Sequence, residues 1–314
     1  MMNILLSDIK KNILITGACG FIGSHLVESL VKSGHKVHAF DLEDIVYPKS
    51  GTTPFSKNIC NKIEFYTGNI EEPGCLESAI KGAKHIFHLA ARSFVPDSWK
   101  NPFDFYHTNL LGLANVLETC RQNNCSLTYL SSYVYGEPEY LPIDERHPLK
   151  SYNPYSHSKL IAEDICDLYK KNYDLKITIF RPFNVYGPGQ NVSFLIPEII
   201  KQAISKEKKI IEVNDLKPKR DYIYIDDLIN ALILSIDGKD NIYNIGSGYS
   251  VSVEDIIKLV LKKSGIKKEY ISKEIIRENE IYDVIADVSK AKKELNWSAH
   301  TSLEEGIKNC IEYS

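Results

Sequence analysis

The chain has 314 residues, a formal net charge of −3, 43% hydrophobic residues and seven cysteines. Its length exceeds the roughly 100–200 residues of a typical domain, so two lobes or one large α/β unit is expected. The balanced charge offers no basic surface for a nucleic acid, and no apolar run approaches the ~18 residues of a membrane span.

Residues 1–6 are followed by Asp8, Lys10 and Lys11, which does not read as a signal peptide. Cys19, Cys60, Cys75, Cys120, Cys125, Cys166 and Cys310 are scattered without a C-x-x-C spacing. Neither a metal site nor a disulfide framework is expected, and the compartment expected is the reducing cytoplasm.

Residues 12–16 predict a strand, 21–32 a helix and 36–41 a second strand. The link between the first two carries Gly17, Gly20 and Gly23, with Phe21 and Ile22 opening the helix. Glycines there permit a tight turn and close approach of backbone N–H groups to a pyrophosphate at the positive helix end. Asp41 follows Gly17 by 24 residues, at the end of the second strand. A carboxylate there accepts hydrogen bonds from ribose hydroxyls and repels a 2′-phosphate, so NAD is expected rather than NADP.

Strands follow at 62–67 and 85–90, a long helix at 103–122, a strand at 126–131, a long helix at 155–171 and a strand at 176–180. This alternation predicts an α/β fold: right-handed βαβ units, a parallel sheet and helices on both faces. The unbroken apolar run Ile13-Leu14-Ile15 suits a strand buried on both sides. A hydroxyl at the C-terminal end of a parallel strand faces the ligand crevice, so Ser131 or Ser132 could bond a substrate oxygen. Tyr155 and Lys159 lie four apart on a predicted helix and share one face. The ammonium favours the phenolate, making the phenol a usable base from a reference pKa of about 10.

After Arg181 the rhythm breaks at Pro182, Gly187, Pro188 and Gly189. Shorter elements follow: helices at 196–205, 227–236, 253–263 and 303–312, and a strand at 209–213. The expected division is a cofactor domain over 1–181, to which about 223–248 returns. Residues 182–222 and 249–314 form a smaller substrate lobe.

Jointly these features resemble the extended short-chain dehydrogenase/reductases, and within them the nucleotide-sugar epimerase/dehydratase group. The resemblance covers nearly the whole chain. It rests on the glycine loop, His88-Leu89-Ala90-Ala91, Asn109, Ser131-Ser132 with Val134-Tyr135-Gly136, the Tyr155/Lys159 pair, Arg181-Pro182-Phe183-Asn184, Arg220-Asp221-Tyr222, Asn244-Ile245-Gly246-Ser247-Gly248 and Ala286-Asp287. It implies a Rossmann-type doubly wound parallel sheet with a smaller C-terminal α/β substrate lobe.

The resemblance also implies roles. Counting back from Val134-Tyr135-Gly136, Ser131 corresponds to the catalytic hydroxyl, Tyr155 to the acid/base and Lys159 to the residue holding the nicotinamide ribose. Gly17, Gly20, Phe21, Ile22, Gly23, Asp41, Asn69, Ile70, Leu89, Ala90, Ala91 and Asn109 would complete the NAD site. Ser132, Tyr133 and Asn184 would meet the sugar, and Arg220 and Arg277 the diphosphate, for which an arginine fork is suited. A homodimer through the helices at 103–122 and 155–171 is implied as well.

Three departures from the family pattern matter. Dehydratases carry an acid pair where this chain has Ser132 and Tyr133, which disfavours 4,6-dehydration. Asn69 stands where the family often has Asp, changing the donor and acceptor roles at the adenine. Val284 stands where some epimerases have a large aromatic, leaving room for an N-acetyl group. The activity expected is epimerisation at C4 of a UDP-linked hexose, glucose/galactose or the N-acetylated pair. A 4-keto sugar reductase would draw on NADPH, against Asp41. A silent NAD-binding module would have lost part of the Ser131, Tyr155 and Lys159 set.

Overall fold

The computed structural model describes residues 10–42, 54–236, 238–276 and 280–314. The chain forms two compact units. The first holds Met1–Ser131, Asn153–Ile179 and Ser235–Asn241; the second holds Ser132–Tyr152, Phe180–Leu234 and Ile242–Ser314.

The first unit is built on strands β1 (Asn12–Thr16), β2 (Lys36–Asp41), β3 (Ile63–Thr67), β4 (His85–His88) and β5 (Ser126–Leu130), with the first half of β6 (Ile177–Pro182). They run in the order β3-β2-β1-β4-β5-β6. β1 pairs parallel with both β2 and β4, so the order reverses there. This is the Rossmann order, and its ligand crevice lies outside the carboxyl ends of the strands at that reversal. β1 and β4 are buried almost throughout, as a strand covered on both faces must be. Their polar side chains are paired: His85 bonds Ser126 and Thr128, and Thr16 Oγ1 bonds His88 Nδ1 at 2.8 Å.

The helix Pro154–Tyr173 starts sharply because Asn153 Oδ1 accepts from Ser156 N at 2.8 Å and Pro154 occupies the first turn. The helix expected over 103–122 is interrupted. It consists of Pro102–Tyr106, a π-helical turn His107–Leu111, and Gly112–Asn123.

In the second unit the rest of β6 lies beside β10 (Ile242–Ile245), where Phe183 N donates to Ile245 O at 2.8 Å. A three-stranded sheet has the order β11 (Ser250–Ser252), β9 (Lys219–Tyr224), β7 (Asn184–Tyr186). A parallel pair joins β8 (Ile210–Val213) to β12 (Glu269–Ser272). Of these, β7, β9, β10, β11 and β12 were not among the expected strands, nor was the helix Ser289–Leu295 among the expected helices. Asp221 on β9 organises the region: fully buried, it accepts from Ser247 N, Ser247 Oγ, Gly248 N and Ala286 N. Val284 is packed with Tyr135, Ile143, Phe183 and Ala286, with Tyr133 against the cluster.

Candidate active site

The glycine loop of the first unit sits at the carboxyl end of β1. Gly17 has φ +71°, and a Cβ there would stand 2.6 Å from Ala90 N. Only glycine allows the loop to lie so close to Leu89 and Ala90, the residues that follow β4. Gly23 is held as tightly, since a Cβ would meet Gly17 O. The helix Phe21–Lys32 thus begins directly against the loop, with its free N–H groups and positive dipole end at the turn. Asp41 ends β2 and accepts from Cys19 N at 2.8 Å and Leu42 N at 2.9 Å. Burial raises its carboxyl pKa, and those two amides oppose the rise.

Asn69 and Ile70 follow β3. Asn69 Oδ1 accepts from Glu71 N at 3.0 Å, and Ile70 O accepts from Asn115 Nδ2 at 2.9 Å. Asn109 lies in the π turn and is 2% exposed. It accepts from Arg92 N, and its Nδ2 donates to Arg92 O and to Ser158 Oγ. Ser158 Oγ in turn donates to Tyr155 O at 2.7 Å. One amide therefore ties the segment after β4 to the helical turn that carries Tyr155.

The expected acid/base group is assembled at the end of β5. Lys159 is buried, and its Nζ donates to Leu130 O at 2.8 Å, the carbonyl just before Ser131. The same ammonium lies 4.8 Å from the centroid of the Tyr129 ring. Burial pushes Lys159 down to about 8, with Cys166 and Glu163 opposing the fall. His88 is pushed down to about 3, by burial first and Lys159 second, so it is a neutral neighbour. Tyr155 stands one turn before Lys159, its ring edge-on to Phe105. Ser131 Oγ donates to Glu163 Oε1, a buried carboxylate one turn beyond Lys159. Sequence reasoning missed Glu163 and His88. Glu163 lies eight residues after Tyr155 and four after Lys159, a spacing that alone does not separate it from a solvated acid.

In the second unit, Ser132 Oγ is buried without a hydrogen-bond partner. Tyr133 donates to Gly136 O at 2.5 Å, and burial raises its pKa well above the usual value. Asn184 opens β7 and is exposed. Arg220 on β9 is engaged by its own unit: Nη2 meets Glu280 Oε1 and Nη1 meets Ile281 O, each at 2.5 Å. Arg277 lies outside the described residues.

The model of the GDP-mannose 4,6 dehydratase family matches residues 14–310. The chain belongs to this family, the nucleotide-sugar epimerases and dehydratases of the extended short-chain dehydrogenase/reductases. The UDP-glucose 4-epimerase of Lactobacillus helveticus is 32% identical over 322 residues, covering 94% of each chain. The UDP-glucose 4-epimerase of Thermotoga maritima, solved with UDP-glucose, is similar at TM-score 0.86 and 29% identity, over 96% of this chain and 98% of its own. That of Thermus thermophilus, solved with NAD, gives 0.84 and 27% over 96% and 98%.

The residues of the first unit fit the family's cofactor, NAD. The glycine loop lies against Leu89 and Ala90 at a helix N-terminus, where no Cβ fits at Gly17 or Gly23, and Asp41 ends β2 with a carboxylate able to accept from ribose hydroxyls.

Proposed function

We propose that the chain epimerises a UDP-linked hexose at C4 through a transient 4-keto sugar. The observation that carries this is the junction of β5 with the helix Pro154–Tyr173: Lys159 Nζ is bonded to the carbonyl beside Ser131, one turn from Tyr155. Bound NAD supplies the acceptor for hydride from C4 and its donor in return. Lys159 is mostly charged at pH 7 and favours the phenolate of Tyr155. Tyr155 takes the C4 hydroxyl proton as the C4 hydrogen leaves, and gives it back when hydride returns to the opposite face. Ser131 holds the oxygen meanwhile. Arg220 and Arg277 bind the diphosphate, and Asn184, Ser132 and Tyr133 meet the sugar.

Neither Ser132 nor Tyr133 can replace an acid pair, so dehydration is not supported. Tyr133 is held protonated by burial. Asp41 disfavours NADPH and with it net reduction. The experiment is incubation with a panel of UDP-hexoses without added cofactor, reading the C4 epimer. A requirement for stoichiometric reduced cofactor would refute the reading.

The chain acts as a cytoplasmic homodimer in this proposal. Support comes from the large apolar side chains Trp99, Phe103, Leu111, Leu168 and Tyr173, which are exposed on the helices of the first unit. No helix among the described residues is long and apolar enough to cross a membrane.

A further inference from the structure

Lys159 and Glu163 project one turn apart from the same helix, and they grip two successive residues of the chain leaving β5. Lys159 Nζ holds Leu130 O, and Glu163 Oε1 accepts the hydrogen of Ser131 Oγ. All three polar residues are nearly excluded from water: Ser131 is 3% exposed, Lys159 4% and Glu163 5%. A carboxylate is costly to bury, so its presence under a serine and beside an ammonium calls for a reason. Glycine-loop and diphosphate functions do not supply one.

We propose that Glu163 is a positioning residue: it fixes the rotamer of Ser131, gives its hydrogen a resting place, and supplies the counter-charge to Lys159. The proposal rests on the epimerase reading. While C4 bears an alcohol, the Ser131 hydrogen can stay on Glu163. When C4 becomes a ketone, its oxygen can only accept, and the same hydrogen turns to it by rotation about Cβ–Oγ. No bond to hydrogen is broken in that turn, and Ser131 needs no search for its orientation at either stage.

The second role concerns the ammonium. The groups facing Lys159 are Tyr155, Glu163 and Cys166 on its own helix, Tyr129 and Leu130 O on β5, and His88 on β4. His88 is neutral, and Tyr129 and Cys166 are held protonated by burial. Glu163 is the carboxylate of this set. Removing its charge makes the buried ammonium easier to deprotonate, so activity that needs the ammonium fails at a lower pH.

Two variants separate the roles. Glu163→Gln keeps an acceptor for Ser131 without the charge. It should lower kcat at pH 7 less than Glu163→Leu does, by about threefold, while the alkaline limb of the pH–rate profile moves to lower pH. Glu163→Leu removes acceptor and charge and should lower kcat about tenfold or more with KM little changed. In a Ser131→Ala background the same Glu163→Leu change should cost about a further threefold at most, the share of the lost charge, since its hydroxyl partner is already gone. Equal losses in both backgrounds would mean that Glu163 acts independently of Ser131. An alkaline limb unmoved in Glu163→Gln would mean that its charge does not reach Lys159. Either result overturns the proposal while the wild type remains active. A wild type inactive on the whole UDP-hexose panel overturns the epimerase reading itself, and this proposal with it.

Discussion

Lys159→Met removes the ammonium and keeps an unbranched side chain of similar length. In the wild type, burial lowers the Lys159 pKa from the usual 10.5 to about 8. Holding the charged form at pH 7 therefore costs the fold about 3 kcal/mol relative to the neutral form. Methionine avoids that cost but leaves Leu130 O without its 2.8 Å partner, a loss of about 1–3 kcal/mol. The two effects nearly offset, so unfolding free energy at pH 7 should change by less than about 2 kcal/mol, while turnover falls by about 10²–10⁴. The pH dependence has a definite sign. Between about pH 8 and 10.5 the unfolded lysine holds a proton that the folded one has lost, so this residue makes the wild type more stable as pH rises through that window. Below pH 8 both states are protonated and the contribution is flat. Urea melts at pH 7 and 9.5 should show the wild type gaining about 2 kcal/mol on the variant. A variant destabilised by more than about 4 kcal/mol at pH 7, with no change in the difference at pH 9.5, would show that Lys159 is a structural strut and that burial does not disfavour its charge.

Three further outcomes are expected. Gly17→Ala forces a side chain into φ +71° and against Ala90 N, so NAD binding measured by calorimetry should weaken at least about tenfold and stability fall by about 1–3 kcal/mol; unchanged binding would remove the close-approach argument. Arg220→Lys keeps the charge but loses the fork, and should raise KM for a UDP-hexose about tenfold while leaving kcat nearly intact. An equal fall in kcat would place Arg220 at the chemistry instead. Phe103→Glu puts a charge on an exposed ring and should halve the mass measured in solution by light scattering; an unchanged mass would remove these helices from the subunit contact.

The first unit was legible because its signals are local and strong. Ile13-Leu14-Ile15 is an apolar run between a polar residue and the glycine loop, 36–41 starts just past Gly34 and ends at Asp41, and both strands appear with the expected limits. The loop glycines and Asp41 follow from the same short stretch. The second unit was less legible because its pairings are distant. β7 has three residues, and its Asn184 is set opposite Tyr222 on β9. A strand that short has no readable alternation of its own. Within the site, the Tyr155/Lys159 spacing could be read from the helix period, but Glu163 could not be separated from an ordinary solvated acid. Its inward direction follows from the stripe Lys159, Ala162, Glu163 and Cys166, which becomes visible once the packing against β5 is known.

The π turn at His107–Leu111 amounts to one surplus residue wound into a helix. A π turn fits one more residue into a turn than an α-helix does, so deleting a single residue there would restore regular winding and change the angle between the side chains within the turn and those that follow it. Helical content would hardly change, yet Asn109 could no longer face Arg92 and Ser158 while Gly112 still met Ile70. An insertion kept in the middle of a helix thus serves as a phase adjuster. It lets one face of the helix pack on the segment after β3 and another point an amide at the turn of Tyr155, two demands that unbroken 3.6-residue winding could not meet together.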